Sequence, residues 1–301
     1  MSKTHTPPEA GDVVTTPASP PPPPEPALDL AALRAELDAL DDALHDLLMR
    51  RFTLIGRLSA SRAKGAGTAL RPGREAVILR RLLARHAGPL PAAALVRLWR
   101  ELLAASTSMQ GGFSVAVSAP SPDSAHAQLA REHFGTATPL RALPTPSRAL
   151  AAVAAGEAAV AVLPTPDERD GPEAAWWTGL DATRLQVVAR LPFFVPRQEE
   201  GMPEAMVVSV IPADPTGRDR TLIRLDAGPG QGRGRISAAL AEAGLPPLRL
   251  SLQRGDDTAG TLALAEVEGF LADAEGAARL AALPFARAQI LGAYAVPETG
   301  E

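Results

Sequence analysis

A regular pattern of leucines marks the N-terminal third of the chain. Between Leu30 and Lys64, leucines recur at alternating intervals of three and four residues, which predicts an amphipathic helix of coiled-coil type. The leucines of this stripe are Leu30, Leu33, Leu37, Leu40, Leu44 and Leu47. Asp29 can cap the start, and Gly65 and Gly67 can end the helix. A helix of about 50 Å is too long for the core of one small domain, so we expect it to lie against another chain or other long helices.

Two shorter helices are predicted after it. One opens at Pro72, a residue favoured in the first helical turn, and ends before Gly88 and Pro89. The next runs from about Pro91 to Gln110, and two glycines close it. Residues 28–112 therefore form an all-α domain in this interpretation.

From residue 113 the pattern changes to short apolar runs alternating with helical segments. In residues 113–212 this alternation predicts an α/β lobe built on parallel strands. The predicted strands are Phe113–Ser118, Ala137–Leu143, Ala158–Leu163 and Val207–Ile211, and the predicted helices are Ser124–Phe134 and Ser147–Ala155.

Residues 217–297 have a different predicted order, β-α-β-β-α-β, which is that of a ferredoxin-like α+β domain. The predicted strands are Thr221–Leu225, Leu248–Leu252, Thr261–Leu271 and Ala288–Leu291, and the predicted helices are Gly234–Ala243 and Glu275–Leu283. The chain is thus predicted to be multi-domain.

Composition adds four expectations. Residues 1–27 are rich in proline, with five in a row from Pro20 to Pro24, and are predicted to be a disordered tail. A net charge of −4 and the absence of a basic block argue against a nucleic-acid partner. No apolar run is long enough to span a membrane, so no membrane association is expected. The absence of cysteine excludes disulfides and favours a cytoplasmic protein.

Arginines supply the candidate chemistry of the helical region. Arg51 falls on the apolar seam of the long helix, where a cation needs an anionic partner. Arg62 follows eleven residues later, within roughly 20° of the same face, so the two can bind one small anion. Arg34 lies about 25 Å before Arg51 and can join them only from a second, antiparallel helix. The simpler alternative is that all three are solvated surface arginines.

The polar positions of the three helices resemble those of the all-helical chorismate mutases, especially the mutase domain fused to prephenate dehydratase. The matching residues are Arg34, Arg51, Arg74, Glu75, Ser106 and Gln110. The resemblance implies an intertwined homodimer, formed through the long N-terminal helix, that rearranges chorismate to prephenate without metal or cofactor. The resemblance also implies a role in substrate binding or catalysis for each of these residues. Arg34 from the partner, Arg51 and Arg74 would hold carboxylates, with Ser106 assisting; Glu75 would receive the ring hydroxyl, and Gln110 would face the ether oxygen.

Two positions depart from the family. The family usually has a lysine eleven residues after the arginine matched by Arg51, and here that position is Arg62. Lys64 is two residues further on and points about 140° away from Arg51 in an ideal helix, so Arg62 is favoured, although fraying of the helix end would reverse that choice. Arg71 stands where the family often has an acidic residue.

The C-terminal half resembles the other parts of such fusions more weakly. Residues 113–212 are too short for the usual two lobes of a prephenate dehydratase. At the expected place of the catalytic T-R-F signature stand Glu204, Ala205 and Met206, so dehydratase activity is predicted to be lost. Residues 217–297 resemble a regulatory ACT domain, which would bind an aromatic amino acid as effector. The family's phenylalanine-binding motifs are replaced there by Gly232–Arg235 and Leu252–Gly255.

Two other functions stay open. An isochorismate pyruvate lyase shares the helical fold and a similar anion clamp. A dimerisation module without catalysis would need only the leucine stripe, with the arginines at the surface.

Overall fold

The computed structural model of the chain describes residues 29–62, 70–196, 202–254 and 260–300. The predicted proline-rich tail, Lys64 and the glycines expected to end the first helix lie outside these residues. In the last residue of that helix, Arg62, only the backbone is described.

The three predicted helices are present. They are α1 (Leu30–Arg62), α2 (Pro72–Arg85) and α3 (Ala92–Ser108). Asp29 caps α1 as predicted, because its Oδ1 accepts hydrogen bonds from the backbone N–H groups of Ala31 at 3.0 Å and Ala32 at 3.2 Å. No helix among these described ranges combines the length and apolarity needed to cross a membrane.

The chain divides into two compact units, residues 1–51 and 52–301. In the described part of the first unit, every leucine of the stripe is exposed, with accessible fractions of 42% to 63%. In the second unit, Leu54 and Leu58 continue the stripe and are also exposed. The apolar seam of α1 is therefore uncovered in a single copy of the chain.

The second unit continues with alternating strands and helices. The elements are β1 (Val115–Ser118), α4 (Ala125–Phe134), β2 (Leu140–Leu143), α5 (Pro146–Ala154), β3 (Val160–Pro164), β4 (Gln186–Leu191), β5 (Phe194–Val195), β6 (Ala205–Ser209), β7 (Asp219–Gly228), α6 (Arg233–Glu242), β8 (Pro247–Arg254), β9 (Thr261–Glu268), α7 (Ala274–Ala281), β10 (Arg287–Ala295) and β11 (Glu298–Thr299). Ser124 and Thr145 cap α4 and α5 through their side-chain oxygens.

Nine of these strands form one sheet, in the order β2-β1-β3-β6-β4-β10-β7-β9-β8. The first three strands are parallel, as the alternation of strands and helices predicted. β6 is antiparallel to both β3 and β4. The sequence analysis missed β4, whose residues are fully or partly buried between β6 and β10.

The segment from β7 to β10 has the predicted β-α-β-β-α-β order. Its strands lie in the order β10-β7-β9-β8 with every neighbouring pair antiparallel, which is the ferredoxin-like arrangement. β10 also pairs in parallel with β4 through Gly292 and Val187. Strands from residues 113–212 and 217–297 thus share one sheet, and the predicted division into two domains stays a prediction.

Helices α2 and α3 pack against the α/β part of the same unit. Ala76, Leu79, Val96 and Leu103 form an apolar cluster with Phe193 and Ala295. Beside this cluster, the Arg80 guanidinium donates to Glu298 Oε1 at 2.6 Å, to Thr216 Oγ1 at 2.8 Å and to two backbone carbonyls. This side chain therefore joins α2 to the C-terminal strands.

Candidate active site

Two of the predicted substrate-binding arginines lie on α1 in the first unit. Arg34 is exposed, whereas Arg51 is half-buried, and burial lowers the pKa of its guanidinium. Because one continuous helix carries both, their separation of seventeen residues corresponds to about 25 Å along the axis. The two cannot contact the same small molecule within one copy of α1. The choice between Arg62 and Lys64 stays a prediction, because the structure describes neither of these two side chains.

Glu75 is held by a residue that the sequence analysis did not select. Its Oε2 accepts a hydrogen bond from Arg100 Nη1 at 3.0 Å, which links the first turn of α2 to the middle of α3. Both side chains are largely buried, with exposed fractions of 13% for Glu75 and 6% for Arg100. Arg100 lies four residues after Val96 and three before Leu103, both buried. A cation on a buried helix face needs an anionic partner, so the position of Arg100 in the sequence was a signal from which such a partner could be predicted.

Burial and attraction act against each other in this pair. Burial raises the pKa of Glu75, and the Arg100 charge and hydrogen bond oppose that rise. Burial likewise lowers the pKa of Arg100 to about 10, against the attraction of Glu75. Arg100 thus stays protonated at neutral pH and favours the carboxylate form of Glu75.

Ser106 lies in the last turn of α3, and Gln110 lies in the turn that follows the helix, two residues after its end. The Ser106 hydroxyl is buried and donates to the Leu102 carbonyl at 2.5 Å. Gln110 Nε2 donates to the Ser106 carbonyl at 2.9 Å. A ligand that bound either side chain would exchange these local bonds for its own. Arg74, next to Glu75 in α2, is exposed.

Arg100 also lines a cavity of about 440 Å³. It is bounded by α3, by α4 and by residues 192–196 with 202–203. The lining residues are Ala93, Val96, Arg97, Arg100, Ala125, Gln128, Leu129, Glu132, His133, Pro192, Phe193, Phe194, Pro196, Met202 and Pro203. Charged and apolar side chains both contribute to its wall.

The position of the expected T-R-F signature lies at the start of β6. Ala205 and Met206 are buried, with exposed fractions of 0% and 1%. Glu204 accepts two hydrogen bonds from Arg190 Nη2, at 2.9 and 2.8 Å. The cavity beside Met206 has a volume of only about 10 Å³, which is room for one water molecule.

In the ferredoxin-like segment, the first replaced motif surrounds the start of α6. Arg233 donates to the Leu250 carbonyl and forms an ion pair with Glu168. Its guanidinium is thus engaged within the chain. Gly255, in the second replaced motif, lies outside the described residues, and the proposed effector site stays a prediction.

Comparison with known proteins confirms the resemblance seen in the helical region. Residues 33–111 match a family model described as chorismate mutase type II, and the match covers most of α1 together with α2 and α3.

Two curated relatives carry both activities in their names. The bifunctional chorismate mutase/prephenate dehydratase of Neisseria gonorrhoeae is 29% identical over 180 residues, which are 58% of this chain and 48% of that protein. The enzyme of the same name from Pseudomonas aeruginosa is 31% identical over 150 residues, 47% of this chain and 40% of that protein. The matched region thus spans less than half the length of each relative.

Solved structures overlap with this chain only in part. A prephenate dehydratase from Arthrobacter aurescens in complex with L-Phe gives a TM-score of 0.45 at 15% identity, covering 60% of this chain and 89% of that one. A quorum-quenching acylase, GqqA, gives a TM-score of 0.49 at 21% identity, covering 62% and 96%. Overlaps at this level carry no conclusion about function.

Proposed function

We propose that residues 28–112 catalyse the rearrangement of chorismate to prephenate, as a homodimer. The observation that carries this proposal is the register of six polar side chains along the three helices and the turn after α3. All six lie within residues 33–111, the range of the type II family match. Those six are Arg34, Arg51, Arg74, Glu75, Ser106 and Gln110.

The reaction suits this set of side chains. A unimolecular rearrangement of a dianion needs no nucleophile, so the protein can act by holding the compact reactive conformer and stabilising charge at the breaking ether bond. Arginine forks are suited to carboxylates, which is the role proposed for Arg34, Arg51 and Arg74. Glu75 would accept the ring hydroxyl while Arg100 keeps it ionised. Arg62 and Gln110 would contact the ether oxygen.

The homodimer is supported by two features of α1. Its leucine stripe is exposed along the described part of the helix, although such a stripe is typical of a buried coiled-coil seam. The distance between Arg34 and Arg51 also requires a second copy if both bind one substrate molecule. A partner helix would cover the leucines and bring in the missing arginine.

The first experiment identifies the reaction. Purified protein is incubated with chorismate and, separately, with isochorismate, and the products are identified by chromatography. Prephenate from chorismate is the expected result. Pyruvate from isochorismate would show that the protein is a lyase, and no turnover of either compound would support a dimerisation module.

A complementation experiment then tests the shared site. Arg34→Ala and Arg51→Ala should each abolish turnover, whereas Arg50→Ala, an exposed neighbour on α1, should leave it unchanged. Equal amounts of the two inactive variants, unfolded and refolded together, should recover about a quarter of the normal rate, because half of the dimers are mixed and each holds one intact site. Folded mixed dimers without activity would refute the shared site.

We further propose that the chain does not dehydrate prephenate. Dehydration needs a donor near the departing hydroxyl, and the side chains of Ala205 and Met206 have none to offer. Glu204 is engaged with Arg190, and the adjacent cavity is far smaller than prephenate. Prephenate incubated with the protein at neutral pH should therefore yield phenylpyruvate at the spontaneous rate only. A rate above that background would overturn this proposal and leave the mutase proposal unaffected.

A further inference from the structure

The cavity beside Arg100 has the size of a small-molecule site. Its volume of about 440 Å³ falls within the range of roughly 300–1,000 Å³ that is usual for ligand pockets. Its apolar wall includes Phe193, Phe194, Leu129 and Met202. Such a wall suits an aromatic ring or a branched aliphatic group.

Two arginines of α3 supply the polar part of the wall. Arg100 is almost fully buried; Glu75 takes one of its guanidinium nitrogens, and the guanidinium carbon lies 5.3 Å from the centroid of the Phe193 ring. A guanidinium has five N–H donors, and within the described residues the side chain of Arg100 uses one of its nitrogens for Glu75, so it has further donors for a ligand in the cavity that it lines. Arg97 lies three residues earlier and lines the same cavity. Within the part of the chain that the structure describes, the side chain of Arg97 makes neither a hydrogen bond nor an ion pair.

Among the described residues, two carboxylates offset the two arginines of this cavity. Glu132 is the acidic residue among the described wall residues, and its Oε1 accepts a hydrogen bond from Gln128 at 3.2 Å. His133 is neutral at physiological pH, because burial and the nearby Arg100 charge hold its pKa well below the usual value. Because Glu75 offsets the charge of Arg100, the described charges balance overall. The two guanidiniums nevertheless belong to one helix, whereas Glu132 lies on α4, so Arg97 and Arg100 together can offer N–H donors to one carboxylate.

We propose that this cavity binds a small carboxylate with an aromatic or branched apolar body. The carboxylate lies against Arg97 and Arg100, and the apolar body lies against the two phenylalanines. None of the described side chains that are proposed to bind chorismate lines this cavity. It is therefore a second site, separate from the mutase site.

The second site is coupled to the first through Arg100, a consequence that rests on the proposed mutase function. A carboxylate in the cavity shares the guanidinium with Glu75 and weakens the attraction that keeps Glu75 ionised. Occupancy of the cavity therefore lowers the rate of the mutase. Arg100 acts here as a positioning residue for Glu75.

The test uses 3-phenylpropionate as the probe and the full chain. Isothermal titration calorimetry should give saturable binding of one probe molecule per chain, whereas 3-phenylpropanol, which lacks the charge, should bind at least tenfold more weakly. Arg97→Ala should weaken binding of the probe by about ten- to a hundredfold, because it removes a charged hydrogen bond without touching Glu75. The matched control is Arg81→Ala, an exposed arginine of α2, which should bind as the unchanged protein does.

Two further readouts separate this site from the mutase site. In proton NMR, the pKa of His133 should rise when the probe binds, because an anion offsets the Arg100 charge. The His133 signal is assigned by its loss in the variant His133→Asn. In the mutase assay, saturating probe should lower turnover of the unchanged protein and of Arg81→Ala, and a higher probe concentration should be needed for Arg97→Ala.

No binding at 10 mM probe, or equal binding by Arg97→Ala, would overturn the proposed second site. Binding that raises the pKa of His133 without an effect on turnover would overturn the coupling alone. A chain that turns over no chorismate but binds the probe as described would refute the mutase proposal and leave the second site standing.

Discussion

At the scale of single residues, buried ionic groups in this chain are partnered across long stretches of sequence. Glu75 pairs with Arg100, and Glu266 accepts hydrogen bonds from Arg220 at 2.7 Å and Arg190 at 3.4 Å. Each group would be strongly destabilising alone, because a buried charge without a partner loses its hydration. Such pairs therefore determine which faces of neighbouring elements can meet.

The Arg100 pair gives a prediction for stability. Arg100→Ala leaves the Glu75 carboxylate buried and unpaired, so the free energy of unfolding should fall by about 3–5 kcal/mol. Denaturant titration followed by circular dichroism measures this change. Adding Glu75→Gln should recover part of the loss, since the buried charge is then removed.

Arg97→Ala serves as the matched control for that variant. Arg97 is exposed on the same helix, and its removal should change the free energy of unfolding by no more than about 0.5 kcal/mol. If Arg100→Ala behaved like Arg97→Ala, Glu75 and Arg100 would not form a buried ion pair in solution.

At the scale of elements, the junction between β4 and β10 depends on one glycine. Gly292 has a φ of +144°, and its position in β10 is a register irregularity against β7. A Cβ atom at Gly292 would lie 2.1 Å from the Val187 carbonyl oxygen and 2.5 Å from the Val187 nitrogen. Only a residue without a side chain allows these two backbones to approach so closely.

Gly292→Ala should therefore lower the free energy of unfolding by about 3 kcal/mol or more, because it adds a backbone clash to an unfavourable φ. Thermal unfolding measured by calorimetry gives the comparison. Gly156→Ala is the control, since Gly156 also has a positive φ, of +75°, but a Cβ atom at Gly156 would have no neighbouring atom within 4 Å. Gly156→Ala should lower the free energy of unfolding by only about 1–2 kcal/mol. Equal effects of the two substitutions would mean that the close approach of β10 to β4 is absent.

At the scale of the whole molecule, the uncovered seam of α1 determines the expected assembly. A stripe of six leucines with exposed fractions above 40% is unfavourable in water and favourable in a helix–helix interface. The same helix carries Arg34 and Arg51 at a separation that one site cannot span. Oligomerisation and catalysis should therefore fail together.

Leu40→Glu combined with Leu44→Glu should convert the proposed dimer to a monomer, because two charges would enter the seam. Size-exclusion chromatography with light scattering measures the mass, and the chorismate assay should show that turnover is lost. Asp42→Lys is the control, because a rotation of about 100° per residue places Asp42 on the face of α1 opposite the leucines. This variant should stay dimeric and active. A fully active monomer would refute the shared site.

Local signals were enough to predict most elements. Helices α1, α2 and α3 follow from leucine periodicity, Asp29, Pro72 and the closing glycines, all of which act within a few residues. The β-α-β-β-α-β order of β7–β10 follows from the alternation of apolar runs and turns. Strand β4 was missed, because its buried and partly buried residues have neither a clear two-residue period nor a strong turn signal on both sides.

The amino-acid sequence by itself determined the three helices, the Asp29 cap of α1 and the resemblance to the chorismate mutases that the family match confirms. Only the tertiary structure decided that Arg100 holds Glu75, that Arg80 joins α2 to Glu298, and that β10 continues the sheet to β4 through Gly292. The physical reason is the distance along the chain over which each interaction acts. Helix periodicity and capping depend on neighbours within one or two turns, whereas an ion pair between residues 80 and 298 forms only where packing has brought two distant elements together.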